Sequence, residues 1–124
     1  MRILVIERFL PIREGYVTLL EKARYDVDSV AEIAEGLEII SERKPDAILC
    51  HLCYPGCEGL TLLEHESVDD VPVIYLSAGA REESFEGEYL RSNHRAFGLC
   101  DKGDPQQALS CLQRVALRQE MSLS

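Results

Sequence analysis

The chain has 124 residues, of which 46% are hydrophobic and 28% charged, a balance typical of one soluble globular domain with a single core. Its formal net charge of −9 argues against nucleic-acid binding by this domain, because affinity for phosphates comes mainly from Lys and Arg. No apolar run reaches the length of a membrane span, and the N-terminal apolar run is too short for a signal peptide, so we expect a cytoplasmic protein without membrane contact.

The first half of the chain alternates strands and helices. In chain order it predicts strand Arg2–Ile6, a helix from Pro11 to Ala23, strand Asp26–Val30, a helix from Ile33 to Ile40 and strand Ala47–Cys50. The second strand alternates charged and apolar residues, as an edge strand does. The third has too few residues for a helix, and Pro45 and a Pro/Gly turn bound it, which favours a fully buried strand.

The second half continues the alternation. It predicts a helix from about Leu60 to Glu66, strand Val71–Leu76, a helix from Arg81 to Asn93, strand Phe97–Cys100 and a helix from Pro105 to Gln119. Asp104 before Pro105 combines an N-cap residue with proline at the first helical position. Five strands that alternate with five helices predict an α/β fold with a parallel sheet covered on both sides.

Four short motifs, in order and at about the right separations, give the chain a family resemblance. They are Ile3-Leu-Val-Ile-Glu-Arg8, Leu49-Cys-His-Leu-Cys-Tyr-Pro-Gly-Cys-Glu-Gly59, Val73-Ile-Tyr-Leu-Ser-Ala78 and Leu99-Cys-Asp-Lys102. Together they resemble the receiver domain of bacterial two-component response regulators, the phosphorelay signalling proteins. The resemblance implies a doubly wound (βα)5 flavodoxin-like three-layer sandwich with strand order 2-1-3-4-5. It assigns residues 1–120 to this domain and leaves 121–124 as a tail or the start of a linker.

The resemblance also implies where the phospho-acceptor pocket lies. Its residues are Glu7, Arg8, His51, Ser77 and Lys102. An ordinary receiver is phosphorylated on an aspartate and holds Mg²⁺ with that aspartate and an acidic pair, whereas here His51 stands at the acceptor position and Arg8 in the pair. Arginine cannot ligate a metal. Ser77 and Lys102 match the family, but Leu99 replaces its aromatic residue. We therefore expect an atypical, degenerate pseudo-receiver with no bound metal, no cofactor and no catalytic residues.

Three interpretations of this pocket remain open. In the first, Arg8 and Lys102 pair with Glu7 in a self-satisfied charge cluster, and a neutral His51 hydrogen-bonds Glu7 or Ser77. In the second, Arg8, His51, Ser77 and Lys102 bind a small anion, since all of them can donate hydrogen bonds. In the third, His51 is itself phosphorylated.

The chain contains five cysteines, which we interpret as reduced thiols in a cytosol. Cys50, Cys53 and Cys57 surround His51 with a spacing compatible with a metal or redox site. Against this, Cys50 should face the core if His51 faces the pocket, because neighbouring residues of a strand point in opposite directions. Cys100 and Cys111 fit the description of small buried hydrophobic residues.

Two classes of function follow. The first is a signalling module that works constitutively through a protein partner or a homodimer, using the predicted fourth helix, fifth strand and fifth helix. Charges there could pair across a two-fold axis: Arg114 and Arg118 on one side, and Glu82, Glu83, Glu86 and Glu88 on the other. The alternative is a sensor that binds a ligand, metal or oxidant in the altered pocket. No nucleophile–base–orienter set is visible, so we expect no enzymatic activity.

Overall fold

The computed structural model describes residues 1–52, 58–77 and 96–123. The strands in these ranges are β1 (Arg2–Ile6), β2 (Asp26–Val30), β3 (Ala47–His51), β4 (Val73–Ser77) and β5 (Ala96–Asp101). The α-helices are α1 (Leu10–Lys22), α2 (Ile33–Glu42) and α3 (Pro105–Leu123), and the 3₁₀ segments are Glu58–Glu64 and Glu66–Val68. The strands pair in parallel in the order β2-β1-β3-β4-β5, so the predicted doubly wound sheet is confirmed.

The core lies in two layers, one on each face of the sheet, because successive strand residues point to opposite sides. On one face Leu4, Ile6, Ile48 and Cys50 pack with residues of α2 and the 3₁₀ segments. On the other face Ile3, Val5, Leu49 and Cys100 pack with residues of α1 and α3. All residues of β3 and β4 are buried, as expected for the central strands of a parallel sheet.

Local sequence features set the ends of α1 and α2. Pro11 lies in the first turn of α1, where its missing N–H leaves no helical hydrogen bond unmade. After α1 the chain reverses through Arg24, whose φ of 70° is left-handed. At the start of α2 the Glu35 carboxylate accepts a hydrogen bond from the backbone N–H of Glu32 at 3.2 Å, and the Glu32 side chain accepts from the third helical residue.

The structure departs from the predicted elements in two places. The segment predicted as a helix from Leu60 to Glu66 is a 3₁₀ helix, Glu58–Glu64, followed by a second one. A segment this short gains little from α-helical propagation, and 3₁₀ geometry is common in short connecting pieces. Helix α3 is the predicted fifth helix, and it continues to Leu123 through residues predicted as a tail or the start of a linker. The predicted helix Arg81–Asn93 lies outside the described residues.

Among the described residues, no helix is both long enough and apolar enough to cross a lipid bilayer.

Candidate functional site

The ends of three strands bring the predicted polar residues to one edge of the sheet. Ile6 of β1 pairs with Cys50 of β3, so Glu7 and His51 follow on neighbouring strands. Ser77 ends β4 opposite Asp101 of β5, and Lys102 comes next. Glu7, His51 and Ser77 are the buried polar residues of the described chain, with exposed fractions of 1%, 4% and 8%. In doubly wound sheets this carboxyl edge is where functional sites lie.

The central contact of this edge is an ion pair between Glu7 and Lys102. The Lys102 Nζ lies 2.9 Å from Glu7 Oε2, and the two side chains are 16% and 2% exposed. The approach satisfies an ion-pair distance but not hydrogen-bond directionality, because Glu7 Oε2 has no hydrogen-bond partner among the described residues. The other carboxylate oxygen accepts a hydrogen bond from the backbone N–H of Phe9 at 3.1 Å. A buried carboxylate is thus balanced mainly by one ammonium group.

The backbone of Lys102 is held by contacts to two other elements. Its N–H donates to the carbonyl oxygen of Ser77 at 3.0 Å. Its own carbonyl oxygen accepts from the hydroxyl of Tyr16, on α1, at 3.4 Å. The pKa of Tyr16 is raised to about 12, mainly by burial, so its hydroxyl remains protonated and can donate at neutral pH. The sequence analysis predicted the helix that contains Tyr16 but missed this contact, although a tyrosine hydroxyl that is buried usually has a hydrogen-bond partner.

Arg8 belongs to the rim of the site. Its Nη2 lies 3.2 Å from Glu32 Oε2, and both side chains are 49% exposed. The cluster expected from the sequence had Arg8 and Lys102 both paired with Glu7. In the structure Lys102 makes that pair, whereas the Arg8 guanidinium forms an ion pair with Glu32 before α2.

His51 is a neutral imidazole at physiological pH. Burial lowers its pKa below the usual 6.5, and the charges of Lys102 and Arg8 lower it further, while Glu7 and Glu32 oppose them. A buried neutral histidine beside an already balanced ion pair needs no extra counter-ion.

Cys50 lies on the opposite side of β3 from the pocket. Its side chain is buried in the core layer that contains Leu4 and Ile6. Burial raises the pKa of its thiol to about 12, which keeps the sulfur protonated and makes it a poor metal ligand. Cys53 and Cys57, the other two cysteines of the possible redox or metal site, lie outside the described residues.

Comparison with known proteins identifies the family. A family model described as the response regulator receiver domain matches residues 3–109. The chain belongs to the response regulator receiver domain family. The phosphate regulon transcriptional regulatory protein PhoB of Pseudomonas aeruginosa is 33% identical over 86 residues, which cover 66% of this chain and 38% of that protein. The transcriptional regulatory protein QseB of Escherichia coli O157:H7 is 36% identical over 90 residues, which cover 70% of this chain and 41% of that protein.

Solved structures share the fold of this chain. A CheY-like response regulator receiver domain protein from Methanospirillum hungatei superposes with a TM-score of 0.82 at 25% identity, covering 98% of this chain and 97% of that chain. A receiver domain protein from Clostridium thermocellum gives a TM-score of 0.80 at 22% identity, with 97% of both chains covered. The receiver fold accounts for nearly the whole chain, whereas the chain spans only about two fifths of the curated relatives.

The side chains that the described residues bring to this edge do not form the donor set that Mg²⁺ needs. The ion needs several oxygen ligands in octahedral geometry. At the edge of the sheet Glu7 offers one carboxylate, already paired with Lys102, and Arg8 and His51 offer no oxygen from their side chains. Within residues 1–52, 58–77 and 96–123, no group of three or more His, Cys, Asp or Glu side chains comes together to hold a metal.

Removal of the Lys102 charge should destabilise this receiver domain. We expect Lys102→Met to lower the free energy of unfolding by about 3 kcal/mol, because it leaves the buried Glu7 carboxylate without its cation. The double variant Glu7→Gln/Lys102→Met should recover most of that loss. Urea denaturation measures both. Arg8→Gln is the control, with an expected loss below about 1 kcal/mol, since its ion pair with Glu32 is exposed. Equal losses for Lys102→Met and Arg8→Gln would contradict the buried ion pair.

Burial of neutral His51 should make stability depend on pH. Its pKa is lower in the folded chain than in the unfolded chain, so the unfolded chain binds more protons between the two values. The contribution of His51 to stability is therefore complete above about pH 6.5 and declines as the pH falls toward the folded-state pKa. We expect His51→Gln to reduce the pH dependence of the free energy of unfolding between about pH 7.5 and pH 5.5. His65→Gln, at an exposed histidine, is the control. The same slope of unfolding free energy against pH in the native chain, His51→Gln and His65→Gln would refute the prediction.

Proposed function

We propose that this receiver domain is a pseudo-receiver: a signalling module that is not phosphorylated on an aspartate, does not bind Mg²⁺ in the usual way, and acts through protein–protein contacts. The observation that carries the proposal is the buried ion pair between Lys102 Nζ and Glu7 Oε2 at 2.9 Å, with neutral His51 beside it. In this arrangement the lysine already has a fixed counter-ion, and the residue at the acceptor position carries no carboxylate.

The same contacts favour the charge-cluster interpretation of the pocket over an anion site. An anion bound between His51, Ser77 and Lys102 would compete with the Glu7 carboxylate for the same ammonium group. It would also lie beside a buried negative charge, which costs several kcal/mol in a poorly solvated site. Phosphorylation of His51 would introduce a still larger charge there, with a donor set that does not fit the metal needed to neutralise it.

The interaction surface that we propose comprises β5 and α3, together with the predicted fourth helix, which lies outside the described residues. On α3 the side chains of Leu117 and Met121 are 58% and 74% exposed. The guanidinium carbons of Arg114 and Arg118 lie 6.0 Å and 5.4 Å from the centre of the Phe97 ring of β5. Exposed apolar residues bordered by arginines are typical of protein interfaces, and Arg is enriched there.

A protein that acts in this way needs no switch at the pocket. A partner is recruited by a conformation that is already populated, provided that the partner binds this conformation more tightly than any other. The proposed outcome is a weak homodimer or a constitutive complex with a protein partner, in either case independent of phosphorylation.

Phosphoryl donors should leave this chain unmodified. We expect incubation with acetyl phosphate and Mg²⁺ to add no phosphoryl group, because His51 replaces the acceptor aspartate and Arg8 replaces a metal ligand. Intact mass, measured under both acidic and neutral conditions, checks this. Beryllium fluoride should leave the NMR signals of Ser77 and Lys102 unchanged. The variant Arg8→Asp/His51→Asp, which places carboxylates at these positions, is the matched comparison. A stoichiometric adduct on the native chain, or saturable Mg²⁺ binding at millimolar concentration, would overturn the proposal.

The proposed surface should set the oligomeric state. We expect the native chain to associate weakly as its concentration rises in sedimentation velocity, and Leu117→Glu/Met121→Glu to abolish that association by adding charge to exposed apolar positions. Leu10→Glu, at an exposed apolar residue of α1, serves as the control and should associate like the native chain. If the native chain is a strict monomer, the dimer is excluded. If Leu10→Glu is as disruptive as the α3 variant, this surface is the wrong one.

A further inference from the structure

Two cysteines that the pocket does not use lie in contact between β5 and α3. The Sγ atoms of Cys100 and Cys111 are 3.5 Å apart, and both residues are buried, with exposed fractions of 1% and 5%. Glycine at position 98 helps to make room, because a Cβ there would lie only 3.2 Å from Cys111 Sγ. The sequence analysis interpreted both cysteines as small buried hydrophobic residues. The structure places them as a dithiol.

A guanidinium group distinguishes the two sulfurs. Arg114, one helical turn after Cys111, lies with its Nη2 at 2.9 Å from Cys111 Sγ. Arginine has donors and no acceptor, so the Cys111 sulfur is the acceptor in this contact. Either sulfur can donate the hydrogen bond between them, and the Arg114 contact favours the Cys100 thiol as the donor, because it supports negative charge on the Cys111 sulfur. A cation at hydrogen-bonding distance favours the thiolate form of Cys111, with Cys100 as the thiol.

The proton affinities agree with this assignment. The pKa of Cys111 is lowered to about 6, mainly by the hydrogen bond from Cys100. Burial opposes this shift, and the contact with Arg114 adds to it. The pKa of Cys100 is raised, first by its hydrogen bond to Cys111 and then by burial, with a further contribution from Asp104. Cys50, whose thiol donates to the backbone oxygen of His51 at 3.5 Å, has its pKa raised to about 12 by burial. A thiolate at neutral pH is the reactive form of cysteine toward oxidants.

We propose that Cys100 and Cys111 form a peroxide-sensitive dithiol switch, in which a small hydroperoxide oxidises Cys111 and Cys100 then closes a disulfide between β5 and α3. The pair is reachable by a small oxidant, because a groove between the two elements is lined by both cysteines together with Leu99, Gln107 and Arg114. This switch does not require the domain to be a pseudo-receiver, and it involves none of the pocket residues Glu7, Arg8, His51, Ser77 and Lys102.

The reaction balances in two steps. The Cys111 thiolate attacks one oxygen of hydrogen peroxide, the O–O bond breaks, and the products are the Cys111 sulfenic acid and hydroxide, which takes a proton to become water. The Cys100 sulfur then attacks the Cys111 sulfur, the S–O bond breaks, and the proton of Cys100 leaves with the hydroxyl group as a second water. Two thiols lose two electrons and the peroxide gains them. The sulfurs must approach by about 1.5 Å to reach disulfide length.

The experiment uses the full chain with Cys53→Ser/Cys57→Ser, so that Cys50, Cys100 and Cys111 are the remaining cysteines. We expect a small molar excess of hydrogen peroxide to remove the mass of two hydrogens per chain, and peptide mapping to join the peptides that contain Cys100 and Cys111. Dithiothreitol should reverse the change. Cys100→Ser should stop at a Cys111 sulfenic acid that dimedone traps, and Cys50→Ala should behave like the parent chain.

A second measurement tests the role of Arg114. We expect Arg114→Gln to slow peroxide oxidation of Cys111 about tenfold at neutral pH, because a hydrogen bond to a charged group is lost. The same variant should raise the pH midpoint for alkylation of Cys111 by iodoacetamide. Arg114→Lys keeps the charge and should recover part of the rate. Retention of all three thiols in peroxide, a disulfide that includes Cys50, or equal oxidation rates in the Arg114→Gln and parent chains would each overturn the proposal.

Discussion

The ion pair between Glu7 and Lys102 is the constraint on which the rest of the site depends. It joins the end of β1 to the turn after β5, across the ends of the two strands between them. A carboxylate that is 2% exposed is costly to bury without a nearby cation. The lysine must therefore be held in place, and the contacts of its backbone to Ser77 and Tyr16 hold it. The strand order brings these residues together, and the buried charge fixes their arrangement.

The alternation of side chains along a strand separates two environments that are adjacent in sequence. His51 lies with the polar residues at the strand ends, whereas Cys50 is enclosed among aliphatic side chains on the other face of the sheet. The consequence is chemical as well as geometric: burial pushes the histidine toward its neutral form and the thiol toward its protonated form. Of the residues that look like a metal site in the sequence, Cys50 and His51 are thus separated by the sheet.

The sequence predicted the parts of the structure that depend on local pattern and topology. Strand periodicity located all the strands of the described sheet, and the family resemblance selected Glu7, His51, Ser77 and Lys102 at the strand ends. The features that the sequence could not predict depend on where the terminal atoms of the side chains lie in the packed structure. The Arg8–Glu32 pair and the Cys100–Cys111–Arg114 contacts join elements whose relative placement is set by packing, and the spacing of eleven residues between the cysteines has no motif of its own. The 3₁₀ segment after β3 was likewise set by its short length rather than by its apolar pattern.

The dithiol and the ion pair lie in one continuous segment of chain. Cys100 is near the end of β5, Lys102 follows it, and the turn through Asp101 and Asp104 leads into α3 and Cys111. Gln107 fastens the turn from the helix side, where its side-chain oxygen accepts a hydrogen bond from the N–H of Asp101 at 2.9 Å. A covalent bond between Cys100 and Cys111 would close a ring that contains this turn and Lys102. Because α3 also carries the exposed Leu117 and Met121, a shift of α3 toward β5 acts on the proposed interaction surface directly. In the proposed switch β5 and α3 form a two-state element, although Leu99 stands where the family resemblance implies an aromatic residue.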